Sequence, residues 1–213
     1  MQTTTTPKPS ARFWDKIAQK YARQPVKDQS AYEAKLAELK SLLHRDDAVL
    51  EVGCGTGTTA LFLASQVAQY TATDISPEMM KIAHDKREAA GADNLTFHVA
   101  TSTDQMPEAP FDAVMAFSLL HLVEDLPATL EALHSQVRPG GLFLSKTFCL
   151  AEAGFAIRVM VKLMRLVGYA PHVLSLTHSE LQQALRNAGF EIEEVRHFGK
   201  DQMSPFIRAR RPA

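Results

Sequence analysis

Two rhythms of apolar residues alternate along the chain. Leu36, Leu39 and Leu43 recur at i, i+3 and i+7, the spacing of one helix face, and Ser30 with Glu33 forms a capping box ahead of them. A short β-branched-rich run, AVLEV (48–52), then reads as a strand. After three glycines, TTALFLASQV (58–67) reads as a helix. YTATD (70–74) ends a second strand, and SPEMMKIAHDKREAAG (76–91) is a helix with Ser76 as N-cap, Pro77 at the first helical position and Gly91 at the stop. NLTFHVA (94–100) is a third strand. FDAVMAFS (111–118) is a fourth, continuously apolar as a buried parallel strand is. Leu130, Leu133 and Val137 share a face of the next helix, ended by Pro139–Gly140, and LFLSKTF (142–148) is a fifth strand.

This alternation predicts a doubly wound α/β domain with a mostly parallel sheet. The last third changes character. AEAGFAIRVMVKLMRLVG (151–168) is a helix with a wide apolar arc, and Thr177 with Glu180 forms a second capping box opening LTHSELQQALRNAG. FEIEEVRHF (190–198) and SPFIRARR (204–211) then suit an antiparallel pair, giving the parallel sheet an antiparallel edge.

Composition narrows the class. With 213 residues, 46% of them hydrophobic, the length suits one domain. Its 23 Lys plus Arg against 24 Asp plus Glu give no basic footprint for nucleic acid. The two cysteines, Cys54 and Cys149, make neither a metal spacing nor a disulfide framework, and the histidines are scattered, so no metal is expected. The polar start MQTTTTPKPSAR lacks the apolar segment of a signal peptide and reads as a flexible arm over 1–12. No stretch approaches the length of a membrane span.

The chemistry concentrates at VLEVGCGTGTTALFLA (49–64). A strand running straight into a helix turns sharply, and glycine permits positive φ and close approach of a ligand to the backbone. The free N–H groups of the following helix favour polar or anionic ligand groups there. The geometry predicts a nucleotide-like ligand at the C-terminal strand ends. The dinucleotide spacing G-x-G-x-x-G is broken: the third glycine comes early, at Gly57, with Thr58 in its place. Asp74 ends the second strand 21 residues after Gly53, where a carboxylate accepts both ribose hydroxyls. Glu51 adds a second carboxylate that a pyrophosphate would dislike and a cation would not. An adenosine bearing a positive amino-acid group suits the pair. A bare tight turn with solvated acids is the bland alternative.

These stretches together resemble the class I S-adenosylmethionine-dependent methyltransferases. VLEVGCGTG is similar to the family's first motif, ATDISPEMMKIA to its second, and FDAVMAFSLLHLVED and VRPGGLFLS to later ones. FWDKIAQKYA (13–22) resembles the aromatic-rich lead-in of small-molecule members. The resemblance implies a Rossmann-like methyltransferase fold, with a seven-stranded, mostly parallel sheet and an antiparallel C-terminal strand. It implies one domain over 13–213, with N-terminal helices (13–44) and a helical insertion (151–178) capping the active site. S-adenosylmethionine is the implied cofactor. Glu51, Gly53, Cys54, Gly55 and Gly57 would shape the methionine and ribose pocket, Asp74 would hold the ribose, Ile75 and Met79 would cover the adenine, and Phe117 and Ser118 would face the methionine and methyl group. Many relatives carry an acid early in the loop after the third strand. Here Thr101 and Ser102 stand in that place, with Asp104 nearby to reach back.

The expected activity is methyl transfer to a small molecule, apolar or amphipathic, by a cytoplasmic monomer or homodimer with no nucleic-acid partner and no stable membrane insertion. The sulfonium is already a good donor, so alignment and water exclusion do most of the work, and a base is needed only for a protonated acceptor. His121 and Tyr21 are the catalytic candidates. Tyr21 and Tyr32 are read either as acceptor-pocket residues or as core anchors, and His121 either as a base or as a packing histidine. In the 151–168 helix, Arg158, Lys162 and Arg165 form a basic stripe beside the apolar arc, which fits a lid, a dimer or covering helix, or a membrane-surface contact. A nicotinamide-dependent oxidoreductase and a catalytically silent cofactor-binding regulator are the competing functions.

Overall fold

The computed structural model describes residues 9–166 and 170–213. Helices α1 (Pro9–Ala22) and α2 (Gln29–Leu42) precede β1 (Ala48–Val52). Then follow α3 (Thr58–Leu63), β2 (Gln69–Asp74), α4 (Pro77–Ala90), β3 (Leu95–Val99), β4 (Phe111–Phe117), α5 (Leu126–Gln136), β5 (Val137–Lys146), α6 (Phe155–Leu166), α7 (His178–Asn187), β6 (Glu191–Arg196) and β7 (Phe206–Arg210). The seven strands form one sheet in the order β3-β2-β1-β4-β5-β7-β6. The first five are parallel, and β7 runs antiparallel to both β5 and β6. The expected antiparallel strand is therefore present, but it sits one place in from the edge. β6 takes the edge, its exposed residues alternating with half-buried ones.

Two cores flank the sheet. One packs Leu36 and Leu39 of α2 and Met79 and Met80 of α4 onto Val49, Tyr70 and Met115. The other packs Leu130 and Leu133 of α5 and Leu181 and Leu185 of α7 onto Leu50, Val114 and Phe143. The central strands are buried on both faces, which explains their unbroken apolar runs. Among the described residues no helix is long and apolar enough to cross a membrane.

Local signals held where the side chain had no competitor. Ser76 accepts the Met79 N–H, Pro77 opens α4, and Gly91 ends it in the left-handed region. Thr177 and Glu180 form the reciprocal capping box of α7. The capping box expected at Ser30 is corrected: Asp28 caps α2 by accepting the Ala31 N–H, and Ser30 lies inside the helix, donating to Asp28 Oδ1 at 2.9 Å. A carboxylate two residues earlier is the better acceptor at a helix N-terminus. The arm expected over 1–12 is also corrected, since α1 begins at Pro9 and Ala11 is buried. Residues 1–8 lie outside the described residues. α3 stops at Leu63 and tightens into a 3-10 turn over Ala64–Gln66. α5 ends at Gln136, before Pro139, because β5 starts at Val137 and absorbs the Pro139–Gly140 step as an irregularity in its pairing with β4. The expected 151–168 helix is α6 alone, after a short 3-10 turn at Leu150–Glu152. Its last two positions fall outside the described residues.

Candidate active site

The glycine turn answers a steric problem. Gly53, Gly55 and Gly57 have φ of 75°, 57° and 72°, all in the left-handed region. A Cβ on Gly57 would meet Phe97 Cζ at 2.5 Å and Ala83 Cβ at 3.1 Å; on Gly53 it would meet Leu119 Cδ1 at 2.9 Å; on Gly55 its nearest neighbour would be Tyr21 Cε1, at 3.5 Å. Gly53 and Gly55 line a cleft of about 1160 Å³ that opens over the C-terminal strand ends. Gly57 does not line it, which corrects the expectation that all three glycines shape the pocket. Its missing side chain lets the turn lie against β3 and α4. Lys86 of α4 holds the same turn by donating to Thr56 O at 3.1 Å, Thr56 Oγ1 at 2.9 Å and Thr58 Oγ1 at 3.2 Å.

Parallel pairing of β1 with β2 brings Glu51 and Asp74 to one end of the cleft. Asp74 is fixed from both sides: Gly55 N–H donates to Oδ2 and Ser76 N–H to Oδ1, each at 2.9 Å. Burial raises its pKa, and those two N–H groups oppose the rise. Glu51 is buried, and Tyr70 donates its hydroxyl to Glu51 Oε2 at 2.8 Å. Burial pushes the Glu51 carboxyl up to about 7, against the Tyr70 hydrogen bond and the nearby Lys35 charge, while the Asp74 charge adds to the rise. The site therefore carries two acids that a cation would help to ionise.

The other expected residues gather around this end. Ile75, Met79, Thr101 and Ser102 line the cleft beyond Asp74, and Cys54, Phe117 and Ser118 line it beside the glycines. Ser118 adopts φ 54°, and its N–H donates to Lys146 O at 2.7 Å. Ser102 Oγ lies 3.2 Å from Thr129 Oγ1. Asp104 does not reach back into the cleft. Its Oδ2 accepts the Thr101 N–H at 2.8 Å, so it shapes the loop from behind. Cys54 is packed in the turn, and burial holds its thiol well above its ordinary value, which excludes a ready thiolate.

Both catalytic candidates line the cleft. Burial lowers His121 to about 4, its Nδ1 has no hydrogen-bond partner, and its ring meets the edge of Phe148 at 6.0 Å. Tyr21 packs its ring at Gly55 and edge-on to Trp14 at 6.4 Å. Although 45% of the residue is exposed, its hydroxyl is crowded enough that desolvation, then the charges of Asp74 and Glu51, raises the phenol's pKa. Tyr21 thus lines the cleft from a place over the glycine turn. Tyr32 lies farther along, its hydroxyl 3.2 Å from Thr59 Oγ1.

Three residues escaped the sequence reading. Asp15 of α1 accepts the Ser76 hydroxyl at 2.6 Å and the Glu78 N–H at 3.3 Å, so α1 is clamped over the N-terminus of α4. The DISP-like spacing around Ser76 gave no hint of a partner so distant in sequence. Lys35 of α2 is buried and lines the cleft, and Lys146, at the end of β5, lines it too. Of α6 only Val161 faces the cleft. Among the described residues none of α6 is buried, and its apolar arc is largely open.

A family model described as a methyltransferase domain matches residues 19–195. The ubiquinone biosynthesis O-methyltransferase of Xanthomonas euvesicatoria pv. vesicatoria (strain 85-10) is 33% identical over 153 residues, a match covering 69% of this chain and 64% of that protein. The chain thus spans less than two thirds of the length of this curated relative. Among solved structures, an S-adenosylmethionine-dependent methyltransferase from Mesorhizobium loti superposes with a TM-score of 0.68 at 24% identity, covering 86% of this chain and 99% of that one. The [4+2]-cyclase SpnF superposes with a TM-score of 0.79 at 18% identity, covering 98% and 97%. A cyclase on the same fold shows that architecture alone does not select the reaction. The sequence match extends from α1 to β6 and takes in the glycine turn and both carboxylates, and on that ground the chain belongs to the methyltransferase-domain family.

Proposed function

We propose that the protein transfers a methyl group from S-adenosylmethionine to an oxygen of a small-molecule acceptor. The observation that carries this reading is the pair of carboxylates, Glu51 and Asp74, on either side of the left-handed glycine turn at one end of a large cleft. Asp74 spends one lone pair of each oxygen on a backbone N–H, so it is oriented and still has capacity for two ribose hydroxyls. Glu51 takes the ammonium of the methionine portion, which replaces the missing positive charge beside a buried acid. Ile75 and Met79 pack against the adenine, and Thr101 and Ser102 face its amino edge. Cys54, Phe117 and Ser118 bound the methionine portion. Tyr21, carried by α1 and clamped through Asp15, covers the glycine turn and excludes water from the reacting centre.

The bound donor supplies the electrophilic methyl group. The chain supplies alignment of donor and acceptor in the cleft. The relatives' naming as O-methyltransferases supports oxygen as the acceptor atom. A dinucleotide fits poorly: a pyrophosphate would lie beside two carboxylates, and Gly57 is occupied by packing on Phe97. Calorimetric titration with S-adenosylhomocysteine tests the reading. Folded protein that binds NADH and ignores S-adenosylhomocysteine overturns it. Methyl transfer from labelled donor into a small-molecule extract separates an enzyme from a silent binder.

A further inference from the structure

Lys35 is a buried cation in the cleft that the cofactor reading leaves unused. It sits in α2, 7% exposed, and lines the cleft. Its ammonium lies 4.4 Å from the centroid of the Phe117 ring and 4.9 Å from that of Tyr32. Among the described residues its ammonium meets the two aromatic faces with no hydrogen-bond acceptor and no carboxylate within ion-pairing distance, and the residue lines the cleft. Other buried or half-buried amines here are satisfied: Lys86 has three oxygen acceptors, and Lys146 faces Asp201 at 3.7 Å. A buried ammonium without an oxygen partner is costly, and aromatic faces compensate only part of its lost hydration.

Glu51 does not serve as that partner. Its charge acts on Lys35 from beyond direct contact, and its carboxylate already holds the Tyr70 hydroxyl and, in the proposed complex, the donor's ammonium. Burial pulls the Lys35 amine down to about 8, with the Glu51 charge opposing the fall and the Lys146 charge adding to it, and an anion bound beside it would restore the charged form. Phe117 and Tyr32 pack on the ammonium, and Phe148, Val161, Val173 and Phe198 give the same cleft further apolar surface. An acidic group at Lys35 with an apolar body along that surface satisfies both features.

We propose that Lys35 binds an anionic oxygen of the methyl acceptor, so that the acceptor class is a small organic acid, a carboxylate on an apolar body. This rests on the methyltransferase reading and adds the substrate's charge to it. Such an oxygen is either the atom methylated or a handle held apart from it, and product analysis distinguishes the two.

The test uses the whole protein with deuteromethyl-labelled S-adenosylmethionine and a panel of hydroxylated aromatic and aliphatic acids, each paired with its neutral primary amide. Label is located by mass spectrometry. Wild-type protein is expected to label acids at least about tenfold better than their amides, and Lys35→Met to lose that preference, as loss of a charged hydrogen bond implies. Lys35→Arg is expected to keep part of it. Calorimetric titration with S-adenosylhomocysteine runs alongside and sets the donor concentration that saturates each variant, because the Lys35 charge also acts on Glu51, so the acid preference is compared at equal donor occupancy. Replacing a buried charge by an isosteric hydrocarbon is usually tolerated in folding. The proposal is overturned if wild type labels amides as well as acids, if Lys35→Met keeps the acid preference, or if wild type binds S-adenosylhomocysteine and labels no acid. Failure of wild type to bind S-adenosylhomocysteine overturns the methyltransferase reading itself.

Discussion

Individual side chains divide cleanly between holding the turn and meeting the ligand. Gly57 belongs to the first group. Gly57→Ala combines left-handed strain with a Cβ placed 2.5 Å from Phe97 Cζ, and should lower stability by about 2 kcal/mol or more. Gly55→Ala meets only Tyr21 at ordinary contact distance, so it should cost less stability and more cofactor affinity. Thermal unfolding and calorimetry on the two variants check the contrast, and equal effects on both readouts would refute it. Asp74→Ala should weaken S-adenosylhomocysteine binding by about 1.5–3 kcal/mol, the worth of a charged hydrogen bond, and an unchanged affinity would remove Asp74 from the site. Glu51 adds a pH dependence. Its folded-state pKa is raised from 4.5 to about 7, so the cofactor-free protein is favoured with Glu51 protonated and loses that advantage as pH rises through about 7. A cationic ligand favours the ionised form, so affinity for S-adenosylmethionine should climb between about pH 6 and pH 8 with release of a proton. Titrations in buffers of different ionisation enthalpy read that proton directly, and a flat profile would detach Glu51 from the ligand.

Among the elements, α1 and α6 behave differently although both border the cleft. α1 is clamped: Asp15 ties it to the start of α4, and Trp14 and Tyr21 reach the cleft. Asp15→Asn should keep the fold and increase hydrogen exchange in α1, with weaker cofactor binding. Protection of α1 equal to that of wild type would show that the clamp contributes nothing. α6 presents only Val161 to the cleft while Phe155 and Leu166 are 77% and 83% exposed. Phe155→Ser and Leu166→Ser should each change stability by less than about 0.5 kcal/mol, as exposed positions do. A larger loss in thermal unfolding would mean that these side chains are covered in solution. The long tie at the far end of α2 is electrostatic: Glu38 accepts from Arg196 at 2.8 Å, fixing the helix that carries Lys35 onto β6.

For the whole molecule, the cleft is assembled from segments far apart in the chain: α1 and α2, the ends of β1, β2, β4 and β5, and the stretch after α6. A ligand bound there couples them all. S-adenosylhomocysteine at one hundred times its dissociation constant should stabilise the fold by about 2.7 kcal/mol. For a chain of this size that is about 5–10 °C in melting temperature, and a scan without such a shift would argue against binding in the cleft. Much of this was written locally. Ser76, Pro77 and Gly91 bound a helix by their own backbone preferences, the unbroken apolar run of β4 marks a strand covered on both faces, and Glu51, the glycines and Asp74 lie close enough in sequence to be read as one site. Other features depended on partners the sequence does not announce. Asp28 displaced Ser30 as cap because it lies where the N–H groups converge, and Gly57 faced Phe97 because β3 and α4 close on the turn. β7 slipped between β5 and β6, an order no local signal records. Lys35 is the sharpest case. In sequence it is a polar position on an amphipathic helix, and only the packing of α2 against Phe117 turns it into a buried cation facing the cleft. Backbone preference and hydrophobic period act over a few residues, so the chain by itself determined its elements and its cofactor turn. Burial and electrostatic environment are set by neighbours distant in sequence, so the tertiary structure alone decided which charges face the cleft.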